Sequence, residues 1–234
     1  MSGFRDIHAH FVYGLDDGAK TKKDMEAMID AAYADGVASL FATPHVTPGI
    51  CPFDDALFER HLEEAREYCR QKGYPMSLYK GAEIMYTPAL QPYVTDRRIP
   101  TLAGSRGVLL EFTPKISFRE MESAVELLEH CGYITILAHV ERYQCLSQGQ
   151  NAYRLKRTHD VRFQMNGSTV IEEKSLFRHR RVWRWLRDEL IDYVATDSHS
   201  CHRRPTNMTE AHRLLSSRLG QAYADVLTGL DTSD

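Results

Sequence analysis

Short apolar runs alternate with amphipathic segments along almost the whole chain, and this alternation limits the possible folds more than any other feature. The runs of strand length are residues 4–11, 37–43, 76–82, 107–112, 133–138, 161–165 and 191–196. Helical spacing separates most of them, and strands joined through helices form right-handed βαβ units with a parallel sheet. About seven such units in 234 residues favour a small closed α/β barrel over an open sheet.

The spacing of apolar residues predicts five helices among these strands. They cover residues 21–36, about 54–73, 117 to about 132, 174–189 and 205–219. The third begins with a capping box, in which the side chains of Ser117 and Glu120 bind each other's backbone N–H groups. The tail, residues 220–234, has few apolar side chains, so we expect it to pack only in an oligomer or not at all.

Composition excludes several classes of protein. Hydrophobic residues make up 43% and charged residues 26%, as in an ordinary globular protein and unlike a disordered or collagen-like chain. A net charge of -3 argues against broad electrostatic binding to nucleic acid. No stretch approaches the roughly 18 consecutive apolar residues of a membrane span, so we expect no membrane insertion. No linker or repeat divides the chain, and we expect residues 1–234 to form a single domain.

The cysteines and the first residues of the chain indicate a compartment. Five cysteines without a C-x-x-C pair favour neither a disulfide framework nor a zinc ribbon. Residues 1–10 carry charges and histidines where a signal peptide needs an apolar core. We therefore expect a cytoplasmic protein. No cysteine has an arginine six positions later, so a thiol-based phosphatase mechanism is excluded.

Side chains that bind metal ions follow nearly every predicted strand. They are Asp6, His8 and His10 on the first strand, then His45, Glu83, Glu111, His139 and Asn166, and finally Asp197 and His199. Because active sites of α/β barrels lie at the carboxyl ends of the strands, we expect these side chains to meet in one pocket. Each alone has an ordinary explanation as a core histidine or a loop charge. Together they are costly to bury unless something binds them.

The donor types indicate which ions such a pocket would bind. His8 and His10 are two apart on a strand, as are Asp197 and His199, so each pair can point to one side. Imidazole with carboxylate favours zinc, manganese or iron over magnesium or calcium. The donors outnumber the four ligands of one tetrahedral zinc, which predicts two or three ions sharing a carboxylate. The remaining histidines lie in predicted helices or loops and are interpreted as incidental: His61, His130, His159, His179, His202 and His212.

The motifs resemble the PHP (polymerase and histidinol phosphatase) superfamily, and more narrowly its bacterial tyrosine phosphatase branch associated with capsule and exopolysaccharide synthesis (CpsB/CapC-like). They are Asp6-Ile-His-Ala-His10, Asp16-Asp-Gly18, Thr43-Pro-His45, Gly81-Ala-Glu-Ile84, Leu110-Glu-Phe112, Ala138-His-Val-Glu-Arg-Tyr143 and Ala195-Thr-Asp-Ser-His199. The similarity extends to about Tyr223. The loop Val46-Thr-Pro-Gly-Ile50 departs from it, because relatives often carry basic, Asn or His residues there.

The resemblance implies a distorted (β/α)7, TIM-like barrel and a phosphatase with two or three divalent ions, most often manganese, with iron or zinc as alternatives. Its substrate would be phosphotyrosine on a bacterial tyrosine kinase, in regulation of capsule synthesis. The implied metal ligands are His8, His10, His45, Glu83, Glu111, His139, Asp197 and His199. Arg142 and Arg204 would hold the phosphate through planar, bidentate contacts. Asp17 would be an acid or a water-orienting residue beside the site, unless Asp-Asp-Gly is ordinary turn chemistry.

Other functions stay open at this point. One is a small-molecule phosphatase of the same superfamily, acting on a substrate such as histidinol phosphate. Another is a non-catalytic, metal-binding regulatory partner. An amidohydrolase would need eight strands, and a polymerase-associated exonuclease fits poorly with the acidic net charge. The basic segment from Arg178 to Arg187 is interpreted as a solvated helix face with Trp183 or Trp185 in the core, the alternative being a docking surface. A homo-oligomer is possible.

Overall fold

The computed structural model describes residues 3–50, 53–172 and 175–230. The strands are β1 (Phe4–Ala9), β2 (Val37–Ala42), β3 (His45–Val46), β4 (Ser77–Lys80), β5 (Glu83–Met85), β6 (Gly107–Glu111), β7 (Ile134–Leu137), β8 (Val161–Asn166) and β9 (Tyr193–Ala195). The helices are α1 (Lys22–Ala34), α2 (Asp55–Lys72), α3 (Leu90–Thr95), α4 (Phe118–His130), α5 (Asn151–Thr158), α6 (Gly167–Glu172), α7 (Leu176–Arg187), α8 (Met208–Leu219) and α9 (Gln221–Thr228). The capping box at Ser117 and Glu120 is confirmed at the start of α4.

All the paired strands run parallel, and two of the seven predicted strands are interrupted. β1, β2 and β4 form one sheet, and β3, β5, β6, β7, β8 and β9 form the other in that order. β2 and β3 are separated only by Thr43 and Pro44, and β4 and β5 only by Gly81 and Ala82. Each pair is therefore one strand broken just before its polar end. Pro44 lacks the N–H that a continuous ladder requires, which accounts for the first break.

The two sheets approach each other where β9 meets β1, through hydrogen bonds and one isolated bridge rather than a ladder. The main-chain N of Asp197 donates to the carbonyl of His8, and that of His10 donates to the carbonyl of Ser198, both at 2.8 Å. These bonds lie at the carboxyl ends of the two strands. The expected α/β fold with a parallel, TIM-like arrangement of strands is confirmed, and the bonds between β1 and the segment after β9 involve the candidate ligands themselves.

Apolar side chains fill the lower part of the barrel, below the polar strand ends. This inner cluster comprises Ile7, Leu102, Leu109, Ile136, Ala138 and Ala195. Larger clusters pack the helices against the outside of the strands. The interior is thus closed by packed side chains on one side of the polar residues, so the site opens at the carboxyl ends of the strands.

Several helices were not predicted, and one expectation was wrong. Helices α3, α5 and α6 are short, and too few apolar positions repeat within them to produce a clear helical pattern. The tail was expected not to pack on this chain, yet its residues 221–228 form α9, which buries Ala224 and Leu227 against β9, β1 and α8. Two well-placed apolar residues are enough there. Residues 231–234 of that tail lie outside the described part of the chain.

Helix α7 confirms that the basic segment belongs to a helix with its tryptophans in the core. Val182, Trp183, Trp185 and Leu186 are buried. The predicted start at Lys174 lies outside the described residues, as does Cys51, and the four described cysteines are free. Among the described helices, none combines the length and hydrophobicity that a membrane span requires.

Candidate metal centre

The structure brings all eight predicted ligands together at the carboxyl ends of the strands. His8 lies in β1 and His10 just beyond it, while His45 and Glu83 open the short strands β3 and β5. Four others end a strand or follow one: Glu111, His139, Asp197 and His199. The breaks in the two strands thus matter for the site, because the short strands that follow them place His45 and Glu83 within the cluster.

The first group of donors surrounds one oxygen of Glu83. Nε2 of His8 and Nε2 of His10 lie 3.2 and 3.3 Å from Oε2 of Glu83. The same two nitrogens lie 3.5 and 3.7 Å from Oδ1 of Asp197. All four residues are buried, and these atoms are near enough to one another to bind one ion.

A second group uses Glu83 again, from the side of β6 and β7. Nδ1 of His45 lies 3.1 Å from Oε2 of Glu83 and 3.7 Å from Oε2 of Glu111. Nε2 of His139 lies 2.9 Å from Oε1 of Glu83 and 3.2 Å from Oε1 of Glu111. Glu83 therefore lies between the first and second groups, in the position of a carboxylate that two ions share.

A third group includes Asp17, which the sequence placed beside the site as an acid. Oδ1 of Asp17 lies 3.3 Å from Nε2 of His45 and 3.4 Å from Nε2 of His199. These three residues and His10 can together surround an ion. Asp17 is the most exposed of them, with 66% of its side chain accessible. Its placement favours the role of a ligand over that of a separate acid.

Asp16 also contacts the cluster, although the sequence alone does not show this. Its Oδ2 accepts hydrogen bonds from Nδ1 of His10 at 2.6 Å and from the main-chain N of His45 at 3.0 Å, while Oδ1 accepts from Gly18 N at 2.8 Å. A proton on Nδ1 leaves Nε2 of His10 free to bind an ion. The Asp-Asp-Gly motif was the only sequence signal, and it does not show which carboxylate faces a histidine.

The charges of these groups shift one another strongly. Burial opposes protonation of His10, but its hydrogen bond to Asp16 and the nearby carboxylate of Glu83 outweigh that and raise the pKa of its ring to about 9. The pKa of His45 also rises to about 9, because Glu83 outweighs burial. Burial would raise the pKa of Glu83, yet the histidines around it hold that pKa well below its usual range. For His199, burial and the charge of His10 lower the pKa to about 4.

The unsatisfied atoms of the cluster fit divalent cations. Within the described part of the chain, four of its buried side-chain atoms make no hydrogen bond: Oε2 of Glu83, Oε2 of Glu111, Nδ1 of His139 and Nε2 of His199. Leaving such atoms unsatisfied costs free energy, which a bound ion would recover for those directed at it. Two ligand residues also have strained backbones, with φ of 33° at His139 and 54° at Asp197. Strain of this kind is concentrated at functional sites.

Both predicted phosphate-binding arginines contact the cluster through Asp197. Nη2 of Arg142 lies 2.8 Å from Oδ2 of Asp197, and the guanidinium of Arg204 contacts the same oxygen. Each arginine side chain is 39% exposed. A cavity of about 410 Å³ opens beside them, with Asn166 and Arg203 in its wall. The two guanidinium groups therefore lie between the donor cluster and solvent.

Comparison with known proteins places these features in a family. A family model for capsular polysaccharide synthesis proteins, CpsB/CapC, matches residues 4–232. The tyrosine-protein phosphatase CpsB of Streptococcus pneumoniae is 28% identical over 227 residues, which cover 95% of this chain and 93% of that protein.

Solved structures with the same fold include phosphatases. A crystal structure from work on YwqE of Bacillus subtilis and CpsB of Streptococcus pneumoniae, both metal-dependent tyrosine phosphatases, superposes with a TM-score of 0.86 at 24% identity, covering 96% of this chain and 91% of the other. Histidinol phosphate phosphatase of Lactococcus lactis, solved with zinc, L-histidinol and phosphate, superposes with a TM-score of 0.60 at 13% identity, covering 97% and 99% of the two chains.

Proposed function

The chain belongs to the CpsB/CapC family of capsular polysaccharide synthesis proteins, and from this premise we propose that it is a metal-dependent tyrosine-protein phosphatase. The observation that carries the proposal is the cluster of buried histidines and carboxylates with two arginines at its edge. Residues 1–234 would act as one domain, because the donors come from strands along nearly the whole chain.

The donor groups support three ion positions, and manganese is the proposed metal. His8, His10, Glu83 and Asp197 would hold one ion. His45, Glu83 and Glu111 would surround a second position, with His139 beside both carboxylates, and His10, Asp17, His45 and His199 a third. When bound, divalent ions supply a nucleophile at neutral pH and neutralise charge on the phosphoryl group. The mixed imidazole and carboxylate set also suits iron or zinc.

Arg142 and Arg204 would bind the phosphate and stabilise the charge that develops on it. In this structure both guanidinium groups contact Oδ2 of Asp197, and a phosphate monoester offers each of them a stronger, bidentate partner. Binding would thus transfer the arginines from the carboxylate to the substrate. In hydrolysis an oxygen from water forms a bond to phosphorus while the bond between phosphorus and the phenolic oxygen breaks. Tyrosine leaves as a phenolate, which takes up a proton from solvent.

The leaving group makes a strong acid unnecessary. A phenol has a pKa near 10, far below that of a serine alcohol, so its oxygen leaves without much help from a proton donor. Asp17 can therefore act as a ligand without loss to the chemistry. Its exposed carboxylate and the half-exposed His45 also leave the site open enough for a phosphotyrosine presented by a protein.

We propose that the substrate is a cytoplasmic bacterial tyrosine kinase and that removal of its phosphate regulates capsule synthesis. The apolar loop around Ile50 would contact residues that flank the phosphotyrosine, since 76% of that side chain is exposed. A small-molecule phosphatase is the second candidate, because the fold is shared with histidinol phosphate phosphatase. A non-catalytic regulatory partner is the third.

Phosphate release after chelation and addition of single metals distinguishes these functions. We expect kcat/KM to be far higher for a phosphotyrosyl peptide than for histidinol phosphate, with activity lost on chelation and restored by Mn²⁺. His139→Ala and Arg142→Ala should each lower kcat/KM for the phosphotyrosyl peptide at least 100-fold. His130→Ala is the matched control, since this exposed ring hydrogen-bonds the carbonyl of Glu126 on its own helix. Activity that survives chelation would refute the metal mechanism, and full metal binding without turnover would favour the regulatory partner.

A further inference from the structure

Two amide side chains on β8, Gln164 and Asn166, lie between candidate ligands from neighbouring strands. They are two residues apart on one strand, so both side chains point to the same side, into the barrel. Both are buried, with 0% and 3% of their surface exposed. Buried amides are costly unless they are hydrogen-bonded, so their partners indicate what they do.

The contacts of Gln164 determine which way its amide points. Oε1 accepts a hydrogen bond from the main-chain N of His139 at 2.8 Å, and a main-chain N–H can only donate, so this atom must be the oxygen. The same oxygen lies 3.1 Å from Nδ1 of His8. Nδ1 must therefore carry a ring proton, so Nε2 of His8, the atom that faces Glu83 and Asp197, is the nitrogen left to bind an ion.

The hydrogen bonds continue in one direction to Asp197. Nε2 of Gln164 donates to Oδ1 of Asn166 at 2.9 Å, and Nδ2 of Asn166 donates to Oδ2 of Asp197 at 2.8 Å. An ionised carboxylate can only accept, so the donor at one end and the acceptor at the other set the direction of every bond between them. Oδ1 of Asp197 remains directed at His8 and His10.

We propose that Gln164 and Asn166 form an amide relay that positions the ligands of two ion sites. The relay sets the tautomer of His8, holds the strained main chain of His139 and orients Asp197. This inference rests on the proposed function, because positioned ligands matter only if ions bind there. Hydrogen-bond partners of ligands commonly contribute 10- to 100-fold in metal affinity.

The hydrogen bond from Asn166 to Asp197 would also matter when substrate binds. Oδ2 of Asp197 accepts from Asn166 and contacts both Arg142 and Arg204. If the arginines turn to a phosphate, Asn166 remains as the partner of that oxygen. The relay thereby keeps Asp197 oriented toward the ions while the arginines are engaged elsewhere.

Zinc affinity of the full chain, measured by competition with a chelator, tests the relay. Gln164→Met keeps the length of the side chain but removes its acceptor and donor, and we expect affinity for at least one ion to fall 10- to 100-fold. Gln164→Glu keeps the acceptor for His8 and His139 but sets a carboxylate against Oδ1 of Asn166. The Gln164→Glu variant should keep the His8 tautomer and lose less zinc affinity than Gln164→Met. Asn166→Leu removes the donor to Oδ2 of Asp197, so we expect this variant to bind zinc more weakly as well.

Side-chain ¹H–¹⁵N spectra of the zinc-loaded protein give a second measurement that does not depend on catalysis. They should show a proton on Nδ1 of His8 with a hydrogen-bonded shift in the wild type and in Gln164→Glu, and loss of that shift in Gln164→Met. Asn151→Asp is the control, since Nδ2 of Asn151 donates to the carbonyl of Cys145 rather than to a ligand. Its zinc affinity should stay within twofold of the wild type.

The outcomes separate the relay from the proposed function. Variants with a lower Tm in chelator but wild-type zinc affinity and an unchanged His8 spectrum would show that the amides serve only the fold, which overturns the relay alone. A wild type that binds no zinc or manganese would overturn the proposed function and the relay with it. Reduced affinity in both Gln164→Met and Asn166→Leu, with the control unchanged, supports the relay.

Discussion

Glu83 and Asp197 each divide their two carboxylate oxygens between different neighbours. Oε2 of Glu83 lies within 3.1 to 3.3 Å of three ring nitrogens, from His8, His10 and His45, while its Oε1 faces His139. Asp197 directs Oδ1 to histidines and Oδ2 to arginines. At the scale of single residues, one acid therefore connects two groups of candidate ligands, and the other connects such a group to the two arginines that we propose bind phosphate.

Replacing Arg142 by lysine tests whether guanidinium geometry matters beyond charge. Lysine keeps the positive charge but offers no planar pair of donors, so we expect kcat/KM for a phosphotyrosyl peptide to fall about 10- to 100-fold. Arg106→Lys is the matched control, because its guanidinium donates a hydrogen bond to the carbonyl of Gly132 at the surface, away from the cluster. Equal activity of the two variants would contradict the assigned role of Arg142.

The pH dependence of metal binding follows from the raised pKa values of His10 and His45, both about 9. In the metal-free protein these rings hold protons at neutral pH, and an ion must displace them to bind. Protonation stabilises the metal-free fold below the unfolded pKa near 6.5, and that stability declines as pH rises toward 9. We therefore expect the rise in Tm caused by Mn²⁺ to be larger at pH 8.5 than at pH 6.5. A rise in Tm that does not change with pH would count against protonated ligands.

At the scale of elements, the loop after β1 holds the donors of that strand in place. The main-chain N of Ala19 donates to the carbonyl of His10 at 3.0 Å, and Asp16 binds the His10 ring. Gly18 lies so close that a Cβ there would be 2.0 Å from the carbonyl oxygen of His10. The loop and the strand end thus form one unit, which places Asp17 opposite His45.

Gly18→Ala should disturb this unit. Because the clash is with main-chain atoms, the loop must move, and we expect zinc affinity to fall about 10-fold or more and the free energy of unfolding by about 1–3 kcal/mol. Chelator competition and urea unfolding measure the two effects.

Gly14→Ala is the control for the loop. Gly14 has a φ of 75°, but no atom of the described residues lies within 4 Å of an added Cβ, so the substitution should cost only about 1 kcal/mol and leave zinc affinity unchanged. If both variants lose affinity equally, the close packing of Gly18 on His10 does not position the site.

At the scale of the whole molecule, α9 covers the region where β9 meets β1. Only a few hydrogen bonds join β9 to β1, and α9 packs against both strands. Leu227 and Ala224 are fully buried there. The last helix thus supplies apolar contacts at the seam that has the weakest strand pairing.

Leu227→Ala should show that α9 is part of the core. Removing a buried leucine side chain typically lowers the free energy of unfolding by about 2–5 kcal/mol, which urea unfolding detects. Val226→Ala, one residue earlier and 68% exposed, should change it by about 0.5 kcal/mol or less. Similar values for the two variants would mean that α9 does not pack as described.

The strands were predictable because each is a short apolar run, and the candidate ligands because they stand at the ends of those runs. Helices α3, α5, α6 and α9 were not predictable, since too few apolar positions repeat in a short helix. Asp16 and Gln164 were also missed, because a hydrogen bond to a histidine leaves no local pattern. Gln164 acts across 156 residues on His8, and only the pairing of strands brings them together.

The sequence by itself determined the barrel class, the family resemblance and the identity of the candidate ligands, because strand periodicity and residue chemistry are local properties. The tertiary structure decided how the donors are grouped: that Glu83 lies between two groups of donors, that Asp17 joins His45 and His199, and that both arginines meet on Asp197. These relations depend on distances between atoms of different strands. The breaks at β2–β3 and β4–β5 and the bonds between β1 and the segment after β9 set those distances, and no single segment encodes them.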